Sequence, residues 1–237
     1  MRRTLLLTAI LVLTAALTAC PTAQRPEIPP PPTPTTAIPP RDLKGATIYQ
    51  VRSEDSLVRI LAYRGGAFAG AGHNHVISSH NLTGTIYLQD DISRCAFDLV
   101  MPVALLEVDE TALRQEEGEE FRSEVSDSAK QGTRKNLLGE ALLDAERFPG
   151  IELSSMVIEG TRESMQATVR VKVKDQERDL HVPIAVTYEG DHLTAKGEFA
   201  VKQSELGLNP FSILGGALQV QDELKVKFTL RAAHKQG

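Results

Sequence analysis

Apolar and polar side chains alternate without a break in Ala167-Thr168-Val169-Arg170-Val171-Lys172-Val173-Lys174. The same alternation recurs in residues 180–186, 193–201 and 224–230. Successive side chains of a β-strand point to opposite faces of its sheet, so each segment predicts a strand with one dry and one wet face. One wet face is typical of antiparallel sheets, whereas parallel sheets are covered on both faces. The sequence therefore predicts a mainly β chain built on an antiparallel sheet.

Less regular apolar segments predict further strands earlier in the chain. They lie at residues 47–51, 57–63, 82–88, 95–101 and 151–158. Together with the alternating segments they give about nine strands joined by short polar turns. Closing such a sheet into a barrel removes its exposed edges and leaves an apolar interior. That interior is either filled by side chains or holds one ligand, and the pattern favours neither.

Residues 109–118 and 126–145 depart from the alternation, because they are charged, place leucine pairs at helical spacing and lack β-branched runs. They predict a short helical insertion over one mouth of the barrel. Asp109, and either Ser126 or Asp127, are the expected N-caps of its two helices.

The insertion also carries the acidic pairs Glu116-Glu117 and Glu119-Glu120. A divalent-cation site and a solvated helix face are the two interpretations. The alternating acidic spacing of a calcium-binding loop is absent, which favours the solvated face. In the strand at residues 95–101, Cys95 is expected to be a buried small apolar side chain rather than a catalytic thiol.

The N-terminus has the pattern of a secretory signal peptide over residues 1–19, with Arg2 and Arg3 before an uncharged apolar run. That run is too short for a spanning helix. Nine of the thirteen prolines lie between residues 21 and 40. Residues 20–42 therefore predict a linker, either a semi-rigid stalk or a disordered spacer, and its twenty residues from 21 to 40 span about 60 Å as polyproline II. Residues 43–237 predict the folded domain.

Leu17-Thr18-Ala19-Cys20 resembles the lipobox of bacterial lipoproteins. The resemblance implies cleavage before Cys20 and acylation of its thiol, which would tether the domain to a membrane of the bacterial cell envelope, facing the periplasm. Pro21 follows Cys20, whereas retention in the inner membrane usually goes with Asp at that position. By the same resemblance we expect the outer membrane.

Charge and motifs exclude several classes of function. The net charge is −5 and no cluster of Lys and Arg stands out, so the sequence does not predict nucleic-acid binding. No Gly-x-Ser-x-Gly sequence and no phosphate-binding glycine loop is present. We therefore expect neither an enzyme nor a cofactor.

The stretch His73-Asn74-His75 would place two imidazoles on one side of a strand. A His-x-His metal site uses this geometry, and His80 is a candidate third ligand. No cysteine or acidic pair lies nearby in sequence, so no metal is expected. A polar pair at the barrel rim and a contact to a ligand headgroup are the other interpretations, and both stay open.

Several of these stretches together resemble the YceI-like, lipid- or polyisoprenoid-binding family. They are residues 142–151, residues 197–207, residues 224–230 and the histidine stretch at 72–76, and the resemblance covers roughly residues 46–232. It implies an extended, lipocalin-like antiparallel β-barrel that holds a long-chain isoprenoid or related amphiphile. With seven Phe, four Tyr and no Trp, the chain predicts an aliphatic rather than an aromatic cavity.

The leading hypothesis is therefore a membrane-anchored periplasmic protein that holds a polyisoprenoid or fatty-acyl type lipid in its barrel. One alternative is an envelope interaction module with a filled barrel that contacts its partner through residues 109–145. The other is a metal-dependent enzyme that uses His73, His75 and His80. The residues expected to bind the lipid are His73, His75, Val58, Ile60, Ile86, Phe97, Leu99, Met101, Phe199 and Phe228.

Overall fold

The computed structural model describes residues 40–235 of the 237-residue chain. Its strands are β1 (Thr47–Val51), β2 (Leu57–Gly65), β3 (His75–Ser79), β4 (Thr83–Leu88), β5 (Ala96–Pro102), β6 (Glu107–Val108), β7 (Gly150–Gly160), β8 (Ser164–Val173), β9 (Gln176–Glu189), β10 (His192–Lys202), β11 (Ser212–Ile213) and β12 (Leu218–His234). Its α-helices are α1 (Thr111–Glu116) and α2 (Asp127–Leu138).

The predicted signal peptide, Cys20 and the linker up to residue 39 lie outside the described residues. Between residues 40 and 235, no helix has the length and apolar composition needed to cross a bilayer.

The strands close into an antiparallel barrel of eight walls, in which neighbours along the chain are neighbours in the sheet. Five walls are the single strands β7, β8, β9, β10 and β12. The other three each consist of two consecutive strands, β1 with β2, β3 with β4, and β5 with β6. Strand β12 closes the barrel, because it pairs with β10 on one side and with both β1 and β2 on the other. The predicted lipocalin-like antiparallel barrel is confirmed.

The alternation read from the sequence gives the inward face of the barrel. In β8, Ala167, Val169, Val171 and Val173 are buried in the interior, and the polar residues between them face outward. Strand β7 keeps this phase only to Ser155, where a bulge places an extra residue against β8. After the bulge, Ile158 is the residue that faces inward. Bulges shift the phase of a strand by one residue, which explains why its pattern looked irregular.

Helix α1 packs on the outside of the barrel against β2 and β3. Leu61 and Val76 from the strands meet Leu113 and Phe121 in a second, smaller apolar cluster. Strand β3 is buried on both faces and so shows no alternation, which leaves its histidine spacing as the one local sign of a strand there. Covering by α1 likewise explains why Leu57, Leu61 and Tyr63 lie on the outer face of β2.

The predicted helix boundaries need correction. Helix α1 begins at Thr111, so the N-cap position belongs to Glu110 and not to Asp109. The Glu110 side chain makes no capping hydrogen bond. Ser126 is the N-cap of α2, since its hydroxyl oxygen accepts a hydrogen bond from the Ala129 amide at 3.3 Å. Helix α2 ends at Leu138 with Gly139 as its C-cap, so only the first part of the charged stretch 126–145 is α-helical. The following amides turn back onto the carbonyls of residues 137–139, and this compact turn buries Leu143 against the barrel.

Gly197 marks a close contact between β10 and its neighbours. A Cβ atom at this position would lie 2.3 Å from the Pro183 carbonyl oxygen and 2.5 Å from the Phe228 ring. We expect Gly197→Ala to lower the free energy of unfolding by about 1–3 kcal/mol in urea denaturation, as overpacking does elsewhere. Gly132→Ala in α2 is the matched control, because its Cβ would enter open space. It should leave stability unchanged or raise it, and equal losses in both variants would contradict the account.

Candidate ligand cavity and its mouth

The interior of the barrel contains an inner cavity of about 190 Å³. Every side chain that lines it is apolar, and the walls contribute both aliphatic residues and phenylalanines. The structure brings together here the eight apolar residues selected from the sequence, Val58, Ile60, Ile86, Phe97, Leu99, Met101, Phe199 and Phe228. A ligand in this cavity would be held by burial of apolar surface, at about 25 cal/mol per Å², and would meet no hydrogen-bonding side chain.

Cys95 also lines the inner cavity and is buried. Burial raises the pKa of its thiol above the usual range, although a hydrogen bond from the Gln89 amide opposes this. A thiolate is therefore disfavoured, and the side chain acts as a small apolar wall residue.

A mouth cavity, also of about 190 Å³, lies between one end of the barrel and helix α2. It shares four wall residues with the inner cavity, namely Ile60, Ile151, Val173 and Leu206. Its lining differs in having polar side chains among the apolar ones, and these are His75, Thr133, Asn136 and Gln203. The two cavities therefore adjoin, and the inner cavity has only apolar side chains in its lining whereas the mouth cavity also has polar ones.

A buried polar cluster holds His75 in the wall of the mouth cavity. Asp109 is fully buried, with one carboxylate oxygen 2.6 Å from Nδ1 of His75. Its other oxygen accepts hydrogen bonds from the Val76 amide at 3.0 Å and from Arg114 at 2.5 Å. Arg114 also donates to the carbonyls of Asn74 and Ser123. The cluster joins β3, α1 and the chain that follows α1.

The electrostatics of this cluster keep Asp109 ionised. Burial alone would raise the pKa of its carboxyl group, but hydrogen bonds from His75, the Val76 amide and Arg114 outweigh it and lower the pKa. A carboxylate only accepts, so Nδ1 of His75 is the donor. The Nε2 atom of His75 lies 3.5 Å from the Thr133 hydroxyl, and both side chains line the mouth cavity.

The three histidines considered as metal ligands do not converge. His73 precedes β3 and lines neither cavity, although its ring lies 6.4 Å from that of His75. His80 points to the opposite face of the wall from His75, where its Nε2 atom lies 3.0 Å from Glu110. Across residues 40–235, no three His, Cys, Asp or Glu side chains are grouped so that they could hold a metal ion.

In the acidic run, Glu116, Glu119 and Glu120 are exposed as predicted, whereas Glu117 is not part of a solvated face. The Glu117 side chain is buried between Arg59 and Lys227, at 2.8 Å and 2.5 Å, and Glu116 contacts Arg59 at 2.5 Å. Burial raises the pKa of Glu117, but the two cations outweigh this and lower it. These ion pairs fasten α1 to the outer wall of the barrel and leave Glu117 no free oxygen for a cation.

Sequence reasoning missed Asp109 and Arg114 as partners of His75. The sequence alone suggests a helix cap at Asp109, which lies 34 residues from His75 along the chain. No local spacing signals such a contact, because it depends on the pairing of β3 with β6. Thr133 was likewise hidden, since its role follows from the position of α2 over the mouth.

Comparison with known proteins agrees with this architecture. The family model of the YceI-like domain matches residues 49–232. The crystal structure of BcnA from Burkholderia cenocepacia is 15% identical, with a TM-score of 0.56 over 77% of this chain and 99% of that chain. A YCEI protein of Campylobacter jejuni is 10% identical, with a TM-score of 0.48 over 66% of this chain and 82% of that one. No curated protein matches the chain. Because the family model spans nearly the whole barrel, the chain belongs to the YceI-like domain family.

Proposed function

We propose that this protein binds a long-chain amphiphilic lipid, such as a polyisoprenoid, with its apolar chain in the inner cavity and its polar end at the mouth. The observation that carries the proposal is the difference in polarity between the two adjoining cavities, because the inner cavity is wholly apolar whereas the mouth cavity is also lined by His75, Thr133 and Asn136. Membership in a family of binding proteins supports it.

The size of the cavities favours a thin ligand that spans both of them. Each is about 190 Å³, which is below the roughly 300–1,000 Å³ of typical ligand pockets. The two together reach that range. A flexible prenyl or fatty-acyl chain passing the shared residues Ile60, Ile151, Val173 and Leu206 fits this shape better than a bulky ring system does.

The proposal includes a membrane anchor at Cys20 in the bacterial envelope, with the barrel facing the periplasm. The lipobox-like sequence and the proline-rich segment after it support this part. Mass spectrometry of the wild-type protein is expected to show an N-terminal acyl mass that Cys20→Ser lacks, because one side chain carries the anchor. A wild-type protein without that mass would contradict the anchor and leave the lipid-binding proposal intact.

Extraction of the full-length protein with organic solvent tests the ligand. We expect a stoichiometric long-chain lipid, identified by mass spectrometry, to accompany the purified protein. Protein that carries no lipid, and takes up neither polyprenyl lipids nor fatty acids on incubation, would overturn the proposal.

His75 should contribute to headgroup binding. We expect His75→Ala to weaken the binding of a polyprenyl alcohol by about 2- to 10-fold, the usual worth of one hydrogen bond, and to leave a hydrocarbon without a headgroup unaffected. His73→Ala is the matched control, because His73 lines neither cavity. Binding assays that show equal losses for both ligands would remove His75 from the headgroup site.

A further inference from the structure

Two loops at the mouth end of the barrel contain no charged residue. They are residues 65–72, between β2 and β3, and residues 206–220, which lead from β10 into β12. Charged residues make up 24% of the chain, so uncharged stretches of this length on exposed loops depart from its general composition. We refer to these two segments together as the mouth loops.

The mouth loops form one continuous surface. The Phe68 amide donates to the Ala217 carbonyl at 2.7 Å, and the Val220 amide donates to the Phe211 carbonyl at 2.9 Å. Gly66 permits the approach, since a Cβ atom there would lie 2.5 Å from the Ala217 carbonyl oxygen. These backbone polar groups are thus paired within the protein and do not require water.

Large apolar side chains project from this surface into solvent. Leu214 is 70% exposed, Phe68 57%, Ile213 43% and Phe211 38%. Leu214 also has a left-handed backbone (φ 52°), which leucine rarely adopts, and its exposed side chain packs on little in return. Phe211 lines the mouth cavity, so the exposed surface is continuous with the lining of the proposed lipid path.

We propose that the mouth loops insert into the surface of a lipid bilayer, so that lipid passes between the membrane and the barrel without crossing water. This inference rests on the proposed function. A bilayer favours Phe, Leu and Ile and penalises every charged group, and the mouth loops match both requirements. The net charge of −5 does not favour binding to anionic headgroups, so the contact should be apolar and insensitive to salt.

The reach of the N-terminal segment allows this orientation. The chain enters the barrel at the end opposite the mouth, where Thr47 pairs with Leu88. The barrel is about 25 Å tall, given ten-residue strands that rise about 3.4 Å per residue and tilt about 40°. The segment from Cys20 to Pro40, with a predicted reach of about 60 Å, exceeds this height, so an anchored protein can turn its mouth to the membrane.

Single tryptophans give a direct test, because the chain contains none. Full-length Phe68→Trp and Leu214→Trp would be reconstituted into phosphatidylcholine vesicles with brominated acyl chains. We expect a blue shift and strong quenching in both variants, unchanged by salt. His192→Trp is the matched control, since His192 is exposed at the opposite end of the barrel and shares the same anchor. Absence of quenching at Phe68→Trp and Leu214→Trp, or equal quenching at His192→Trp, would overturn the proposal.

A charged double variant, Phe68→Asp with Leu214→Asp, separates docking from lipid binding. We expect at least tenfold slower lipid transfer from vesicles and unchanged binding of lipid delivered in detergent. Lipid transfer by the double variant at the wild-type rate would contradict membrane docking. If wild type binds no lipid, either from vesicles or in detergent, while the tryptophan variants are still quenched by the bilayer, the proposed function alone is rejected. Tryptophan emission that is blue-shifted without vesicles, together with a dimer on sizing, would assign the surface to a second copy of the chain and overturn the proposal.

Discussion

Asp109→Ala is expected to lower the free energy of unfolding by about 3–5 kcal/mol, the usual cost of breaking a buried ion pair from one side. Asp109 is fully buried and binds His75, the Val76 amide and Arg114 at once. Its removal leaves the nearly buried guanidinium of Arg114 without its carboxylate and frees the ring of His75. Urea denaturation of the purified protein measures the loss.

Two further variants make this expectation specific. Asp109→Asn keeps the shape of the side chain and suits the left-handed backbone at this position (φ 58°). We expect it to lower the free energy of unfolding less than Asp109→Ala does, and its loss measures the contribution of the charge. Glu116→Gln removes the ion pair between the half-exposed Glu116 carboxylate and Arg59. It should lower the free energy of unfolding by less than about 1 kcal/mol. A loss at Asp109→Ala no larger than that of Glu116→Gln would contradict the role given to the cluster.

The same carboxylate should contribute to acid stability. Its pKa in the folded protein lies below the ordinary value of 3.8. Its stabilising effect is therefore present above about pH 4 and is lost as the pH falls through the folded-state value. Asp109→Asn should accordingly show a flatter decline of stability below pH 4 than wild type, with the remaining slope due to groups such as Glu117. An unchanged acid slope would show that Asp109 does not titrate with folding.

Ala195→Phe is expected to weaken lipid binding at least tenfold. Ala195 lies on β10 in the wall of the inner cavity, where it pairs with Val186 and Leu230. A phenyl ring there enters the space proposed for the lipid chain and so competes with the ligand directly. Because it fills a cavity, its cost to stability should stay within the roughly 1–3 kcal/mol of overpacking. Displacement of a fluorescent fatty acid measures the change in affinity.

Ala200→Phe is the matched control for this substitution. Ala200 lies on the same strand but is exposed on the outer face of the barrel. It should bind the fluorescent fatty acid as wild type does. Equal binding by Ala195→Phe and Ala200→Phe, both folded, would place the ligand outside the inner cavity.

Much of the barrel could be predicted from the sequence, because alternation fixes the inward face where one side of a strand is solvated. Strand β8 and the second half of β12 show this, and their inward residues were assigned correctly. The prediction failed where the outer face is covered, as at β3 under α1, and where the bulge after Ser155 shifts the phase of β7.

The cavity lining was predictable for the same reason, but the polar cluster at the mouth was not. Asp109 and His75 meet through the tertiary pairing of β3 with β6, which no local pattern encodes. The burial of Glu117 was not predictable because its partners, Arg59 and Lys227, lie on distant strands. Contacts between elements far apart in the chain thus decided the polar part of the site.

A native mass spectrum of the full-length protein, purified in mild detergent, tests the central claim most directly. A covalent anchor adds a constant mass, whereas a bound lipid dissociates on collisional activation. We predict a dissociable mass of one long-chain lipid in wild type and Ala200→Phe, which organic extraction removes and Ala195→Phe largely lacks. A spectrum without any dissociable mass, also after incubation with polyprenyl lipids and fatty acids, would contradict a lipid-binding barrel.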